Sequence, residues 1–114
     1  CNMGEVINME VGDHVSVAGT SLVGKVKTTY DELEAVFGPP TYKGGDKTTA
    51  EWNIEFLVRD DDDYYEEEYI VASIYDWKMQ DTPFGPYDWH VGGARNNDAV
   101  WYVQDMLDAH RKGQ

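Results

Sequence analysis

The sequence predicts an α+β fold, a two-layer sandwich in which an antiparallel sheet of three to four strands packs against two helices in the order β-α-β-β-β-α. Three observations carry this expectation. Trp52, Ile54, Phe56 and Val58 alternate with Asn53, Glu55 and Arg59, the period of a half-buried strand. Tyr69 to Lys78, beyond an acidic run, is again rich in strand formers, so the two stretches read as a hairpin. Leu33, Val36 and Phe37, and later Val100, Val103, Leu107 and His110, recur at helical spacing.

Taken in order, residues 1–18 show no clear period and are read as an N-terminal tail or edge strand, with residues 19–114 forming a single α+β domain. Gly19 to Lys27 reads as a short strand with Leu22, Gly24 and Val26 on one face and Val23, Lys25 and Lys27 on the other. Thr29 stands three residues before Glu32, the spacing of a capping box, and Gly38, Pro39 and Pro40 stop the helix, which is expected over about 28–37. Residues 41–50 form a polar loop. After the hairpin comes a loop marked by Pro83, Gly85 and Pro86. Residues 87–91 supply a third strand of the hairpin layer, ended by Gly92 and Gly93. Asn96 or Asn97 caps the last helix, and Gly113 marks its stop.

Composition narrows the function. The chain has 114 residues, enough for one core, with 22 acids against 9 bases and a net charge of -13. That balance excludes ordinary phosphate-backbone binding, which needs clustered Lys and Arg, so no direct nucleic-acid contact is expected. The single cysteine, Cys1, rules out a disulfide-built domain. No apolar run approaches the ~18 residues needed to cross a bilayer, and no membrane role is expected.

Two features stand out. The first is an acidic tip, Asp60, Asp61, Asp62, Asp63, Glu66, Glu67 and Glu68, which leaves 15 acids against 9 bases when set aside. It reads as a solvated hairpin end or as a surface whose carboxylates imitate nucleic-acid phosphates. It lacks the Asp-x-Asp-x-Asp-Gly order of a calcium loop, and no metal site is assigned. The second is aromatic. Tyr75, Trp77, Trp89 and Trp52 occupy alternating strand positions, and most such side chains are core. Near them in the chain stand Lys47, Lys78, His90 and Arg95, an unusual gathering among nine bases. Indoles beside cations suit a small anionic ligand with a flat ring, the ring stacking and the cations meeting the phosphates. Trp77, Trp89, Lys47, Lys78, His90 and Arg95 are therefore expected to converge on one cleft. Gly92 and Gly93, read as preceding a helix start, would add backbone donors.

No catalytic set is assigned. His14, His90 and His110 are far apart, and Ser16, Ser21 and Ser73 lie in no nucleophile-elbow sequence. The chain is expected to be a non-enzyme without cofactor.

The segments GTSLVGKVKTTYDELEAVFGPPTYKGGDKTTAEWNIEF, VASIYDWK and WHVGG resemble a family of small uncharacterised proteins of tailed bacteriophages. The matching residues are Gly19 to Leu22 and Gly24; Tyr30, Leu33, Phe37, Gly38 and Pro40; Asp46, Lys47, Ala50, Glu51 and Trp52; Ala72, Ile74, Tyr75, Trp77 and Lys78; and Trp89 to Gly93. Where such proteins tend to carry a tight Asp-Gly hairpin, this chain has RDDDDYYEEE. The resemblance implies a phage-encoded accessory protein acting in the cytoplasm of the infected bacterial host. It would be a binder that inhibits a host defence or takeover target, either through protein contacts or by sequestering a signalling nucleotide. Two alternatives stand beside it: an acidic nucleic-acid mimic acting through Asp60 to Glu68, and a structural or virion-associated protein. The partner is thus a host protein or a small nucleotide ligand. Homo-oligomerisation is left open, to be favoured if Trp101 and Tyr102 both prove exposed.

Overall fold

The computed structural model describes residues 5–44, 48–59, 67–77, 82, 85–93 and 99–113. Six strands and two helices follow one another as β1 (Glu5–Val11), β2 (Ser21–Thr28), α1 (Tyr30–Phe37), β3 (Tyr42–Lys43), β4 (Ala50–Arg59), β5 (Glu67–Tyr75), β6 (Tyr87–Gly93) and α2 (Ala99–Lys112). The class is α+β, an open antiparallel sheet with two helices. The expected strand count and order are corrected: the sheet runs β1-β4-β5-β6-β2, with the two-residue β3 also on β4.

One bulge obscured β1 in the sequence, and a second changed a face of β2. In β1 the pairing with β4 shifts between Val6 and Asn8, so Val6 pairs with Val58 while Met9 pairs with Phe56. An extra residue reverses the side-chain parity of everything beyond it. Val6, Met9 and Val11 therefore reach the same core despite their uneven spacing. This interrupted alternation left residues 1–18 without a legible period. In β2 the shift lies between Leu22 and Gly24: Leu22 pairs with Gly92 but Gly24 with Val91. Since Gly92 and Val91 are neighbours on one strand, Leu22 faces away from Gly24 and Val26. The single face expected for those three residues is corrected, and Leu22 joins Lys25 and Lys27.

The β4–β5 hairpin forms an unbroken ladder from Glu51↔Tyr75 to Arg59↔Glu67. Trp52, Ile54, Phe56 and Val58 of β4, Ile70, Ala72 and Ile74 of β5, Trp89 and Val91 of β6 and Val26 of β2 fill one face. Leu33 and Phe37 of α1 and Ala99, Tyr102, Val103 and Leu107 of α2 cover it. Aromatic edges lock this layer. Trp52 meets Trp89 at 5.5 Å and 79°, and Trp89 meets Tyr87 at 5.5 Å and 89°. The Trp52 indole N–H donates to the Gly38 carbonyl at 2.9 Å, fixing the end of α1 to the sheet.

Helix α1 starts at its cap: Thr29 accepts the Glu32 backbone N–H at 3.1 Å. The Glu32 carboxylate accepts from the Thr28 hydroxyl and from Arg111 of α2. On α2, Tyr102 is buried beside Phe56 at 6.0 Å while Trp101 stays 43% exposed, so the pair does not form an exposed aromatic patch. The proposed caps Asn96 and Asn97 lie outside the described residues. No described helix is long and apolar enough to cross a membrane.

Candidate functional site

Strand register places four chemically different side chains in one row on the face turned away from the helices. Glu51 of β4 pairs with Tyr75 of β5, Tyr75 with His90 of β6, and His90 with Lys25 of β2. The next row on this face is Asn53, Ser73, Gly92 and Leu22. Asn53 and Ser73 are buried there, and Asn53 Oδ1 has no hydrogen-bond partner among the described residues.

The aromatic members stack. The His90 and Tyr75 rings lie 5.5 Å apart with planes 20° from parallel, and Trp77 meets Tyr75 edge-on at 6.3 Å and 69°. Gly92 leaves room for the Ser73 hydroxyl beside these rings. A Cβ there would stand 2.5 Å from the Ser73 Oγ and 3.6 Å from a Tyr75 ring carbon. Trp77 leaves the end of β5 on a braced backbone. Its N–H donates to the Tyr87 hydroxyl at 3.3 Å. The preceding residue, Asp76, is fully buried and accepts the Thr49 N–H at 2.7 Å, the Ala50 N–H at 3.2 Å and the Thr49 hydroxyl. The Thr49 hydroxyl also pairs with that of Thr82 at 2.7 Å, tying the segment after β5 to the start of β4.

Among the described residues, Leu22, Tyr75, Trp77 and His90 line a depression of about 360 Å³ at this end of the sheet. The space is of the order that holds a small ligand. Its chemistry follows from its surroundings. Burial, and then the charge of Lys25, holds the His90 imidazole below the usual histidine range, although a backbone hydrogen bond at Tyr75 and the Asp76 charge act the other way. Burial pushes the Glu51 carboxyl up. Burial and then Glu51 push up the Tyr75 phenol. The walls are therefore neutral aromatic surfaces near neutral pH. An exposed ammonium stands at one end of the row and a half-buried carboxyl at the other.

The expected site is corrected in part by this geometry. Trp77 and His90 do line one depression. Trp89 does not: it is wholly buried on the helix side, packed against Trp52 and Tyr87. Adjacent residues of a strand point to opposite faces, so Trp89 and His90 cannot share a pocket within β6. Lys47, Lys78 and Arg95 lie outside the described residues, as do Asp60, Asp61, Asp62, Asp63 and Glu66. Glu67 and Glu68 are exposed at the start of β5, where Glu67 meets Arg59 at 3.4 Å. Gly92 and Gly93 belong to β6 rather than to a helix approach, and both pair with β2 and β5.

Sequence reasoning left Tyr75, Leu22, Lys25 and Glu51 out of the site. Tyr75 was legible in principle, because alternation from Trp77 fixes its face, whereas the places of Lys25 and Glu51 beside it depend on which strands pair. Leu22 was not, since its side depends on the bulge. Among the described residues, no group of three or more His, Cys, Asp or Glu side chains is gathered where a metal ion could be held. Comparison of the chain with protein-family models, curated proteins and solved structures found no match in any of the three.

Proposed function

We propose that this protein is a non-enzymatic binder that holds one small ligand with a flat ring in the Leu22–Tyr75–Trp77–His90 depression. The observation that carries the reading is the aromatic tray: the stacked Tyr75 and His90 rings, an indole edge-on to Tyr75, and an open side. Stacking on such a surface contributes roughly 1–3 kcal/mol per base. The Trp77 backbone is held by its own hydrogen bond and by the buried Asp76 beside it, so binding need order only the side chain. Binding of this kind needs no bond to be made or broken.

The resemblance to phage accessory proteins extends the reading to a biological role: sequestration of a signalling nucleotide, and so inhibition of a host defence or takeover response from within the infected cell. The test is titration calorimetry of the full chain against the four common nucleosides and their 5′-monophosphates. Saturable one-to-one binding that is lost in Trp77→Ala, with an unchanged melting temperature, is the expected result. Absence of binding by every probe, or equal binding by the variant, rejects the reading.

A further inference from the structure

The charges around the tray are arranged along a line. Reading across the strands, Glu51, Tyr75, His90 and Lys25 follow one another on one face, one per strand. Adjacent strands lie about 4.8 Å apart, so the backbone positions of Glu51 and Lys25 are separated by roughly 14 Å. The depression is lined by the central pair with Leu22 and Trp77, and Glu51 and Lys25 flank that pair in the strand register. Lys25 is exposed, and among the described residues it has no ion-pair partner. Lys27, two residues further along β2 on the same face, lies instead across from Asp88.

We infer that the ligand is an anion laid across the strands in one orientation, its ring on Tyr75, Trp77 and His90 and its negative group on Lys25, with Glu51 excluding that group from the opposite end. This rests on the ring-binding reading proposed above and adds to it a class of ligand and a residue that selects it. A chain with net charge -13 repels anions at long range, so an anionic ligand needs a local cation that is not already neutralised. Among the described residues neither Lys25 nor Lys27 forms an ion pair, but Lys25 stands next to His90 in the strand register whereas Lys27 lies across from the Asp88 carboxylate. At the far end, a phosphate would sit against Glu51, where like charge and partial burial both oppose it. A nucleoside monophosphate, a flat ring with a single anionic end, has the required polarity.

The deciding experiment compares each nucleoside 5′-monophosphate with its parent nucleoside by calorimetry at low salt, in the wild type and in Lys25→Ala, Lys25→Gln and Lys27→Ala. An exposed charge contact favours the phosphorylated form by about fivefold at most. That preference is expected in the wild type and in Lys27→Ala, is expected to vanish in both Lys25 variants, and is expected to shrink in 0.5 M NaCl, where the screening length is only about 4 Å. Nucleosides binding as well as nucleotides, or a preference that survives loss of Lys25, overturns the inference while leaving ring binding intact. A wild type that binds neither form overturns both.

Discussion

The imidazole of His90 lies flat against the phenol ring of Tyr75 across the β5–β6 pairing, 5.5 Å between centroids and 20° between planes. Its Nδ1 is buried without a hydrogen-bond partner among the described residues. Burial disfavours the charged ring, and protonation would also add a charge beside Lys25, so the neutral ring is favoured. His90 should therefore titrate below the ordinary value of about 6.5 in a proton NMR titration. The unfolded chain binds this proton more readily than the folded one. The contribution of His90 to stability is then complete above the unfolded value and is lost as pH falls toward the folded value. His90→Gln should flatten the stability profile in that window; an unchanged slope would contradict the assignment.

Trp77 and Trp89 should separate cleanly. Trp89 is fully buried between Trp52 and Tyr87, and truncation to Ala leaves a cavity costing about 3–5 kcal/mol. Trp77 is 41% exposed, and its truncation should cost about 1 kcal/mol or less while removing ligand binding. Chemical denaturation of the two variants side by side measures both effects.

Asp76 is a buried carboxylate whose described hydrogen-bond partners are the Thr49 and Ala50 backbone and the Thr49 hydroxyl. Asp76→Ala leaves those donors unsatisfied and should destabilise by about 3 kcal/mol, with Asp76→Asn milder because one acceptor oxygen remains. Because the same clamp braces Trp77, the Asn variant should weaken ring binding even at temperatures where it is fully folded. Equal affinity in wild type and Asp76→Asn would show that the clamp serves the fold alone.

Gly93 faces the first turn of α2 at a distance no side chain tolerates. A Cβ there would lie 2.7 Å from the Ala99 Cβ and 3.3 Å from a Val23 methyl. Gly93→Ala should cost about 1–3 kcal/mol through overpacking. Ala99→Gly in the same molecule should recover part of that loss, so a double-mutant cycle in urea should show positive coupling. Strict additivity would mean that the helix moves away instead.

Arg111 joins the two helices and the sheet. Its Nη2 donates to Glu32 Oε1 at 2.7 Å and to the Lys27 carbonyl at 3.0 Å, and its Nε donates to Glu32 Oε2 at 3.1 Å. These bonds, with the Thr28 hydroxyl, hold the Glu32 carboxyl below its ordinary range against the opposing effect of burial. A lowered folded value means the contribution is present above the unfolded value and fades as pH falls through the folded one. Glu51, shifted upward by burial, acts in the opposite sense. Arg111→Ala should cost about 1 kcal/mol at neutral pH, since the arginine is partly exposed, and less in acid. A loss that stays constant down to pH 3 would rule out the ion pair as its cause.

The α+β class, α1 with its Thr29 cap and the β4–β5 hairpin were readable from periodicity, because each depends on residues close in sequence. The Trp52, Ile54, Phe56 and Val58 alternation survives intact in β4 since no bulge interrupts it. Strands β1 and β2 were harder, for opposite reasons. Val6, Met9 and Val11 show no period because the bulge near Ile7 changes parity. Leu22 shows a good period that misleads, because the bulge near Val23 turns it to the other face. The expected site failed at Trp89 where strand parity was not applied to neighbouring residues.

What the amino-acid order determined by itself is local: where hydrophobic spacing changes from two to about 3.6, where a hydroxyl caps a helix, and how negative the surface must be. What only the tertiary structure decided is which strands lie side by side. The order β1-β4-β5-β6-β2 brings Lys25 next to His90, though 65 positions separate them in the chain. Such pairing is selected by burying one whole sheet face under two helices at once, a collective gain to which no short stretch of sequence bears witness.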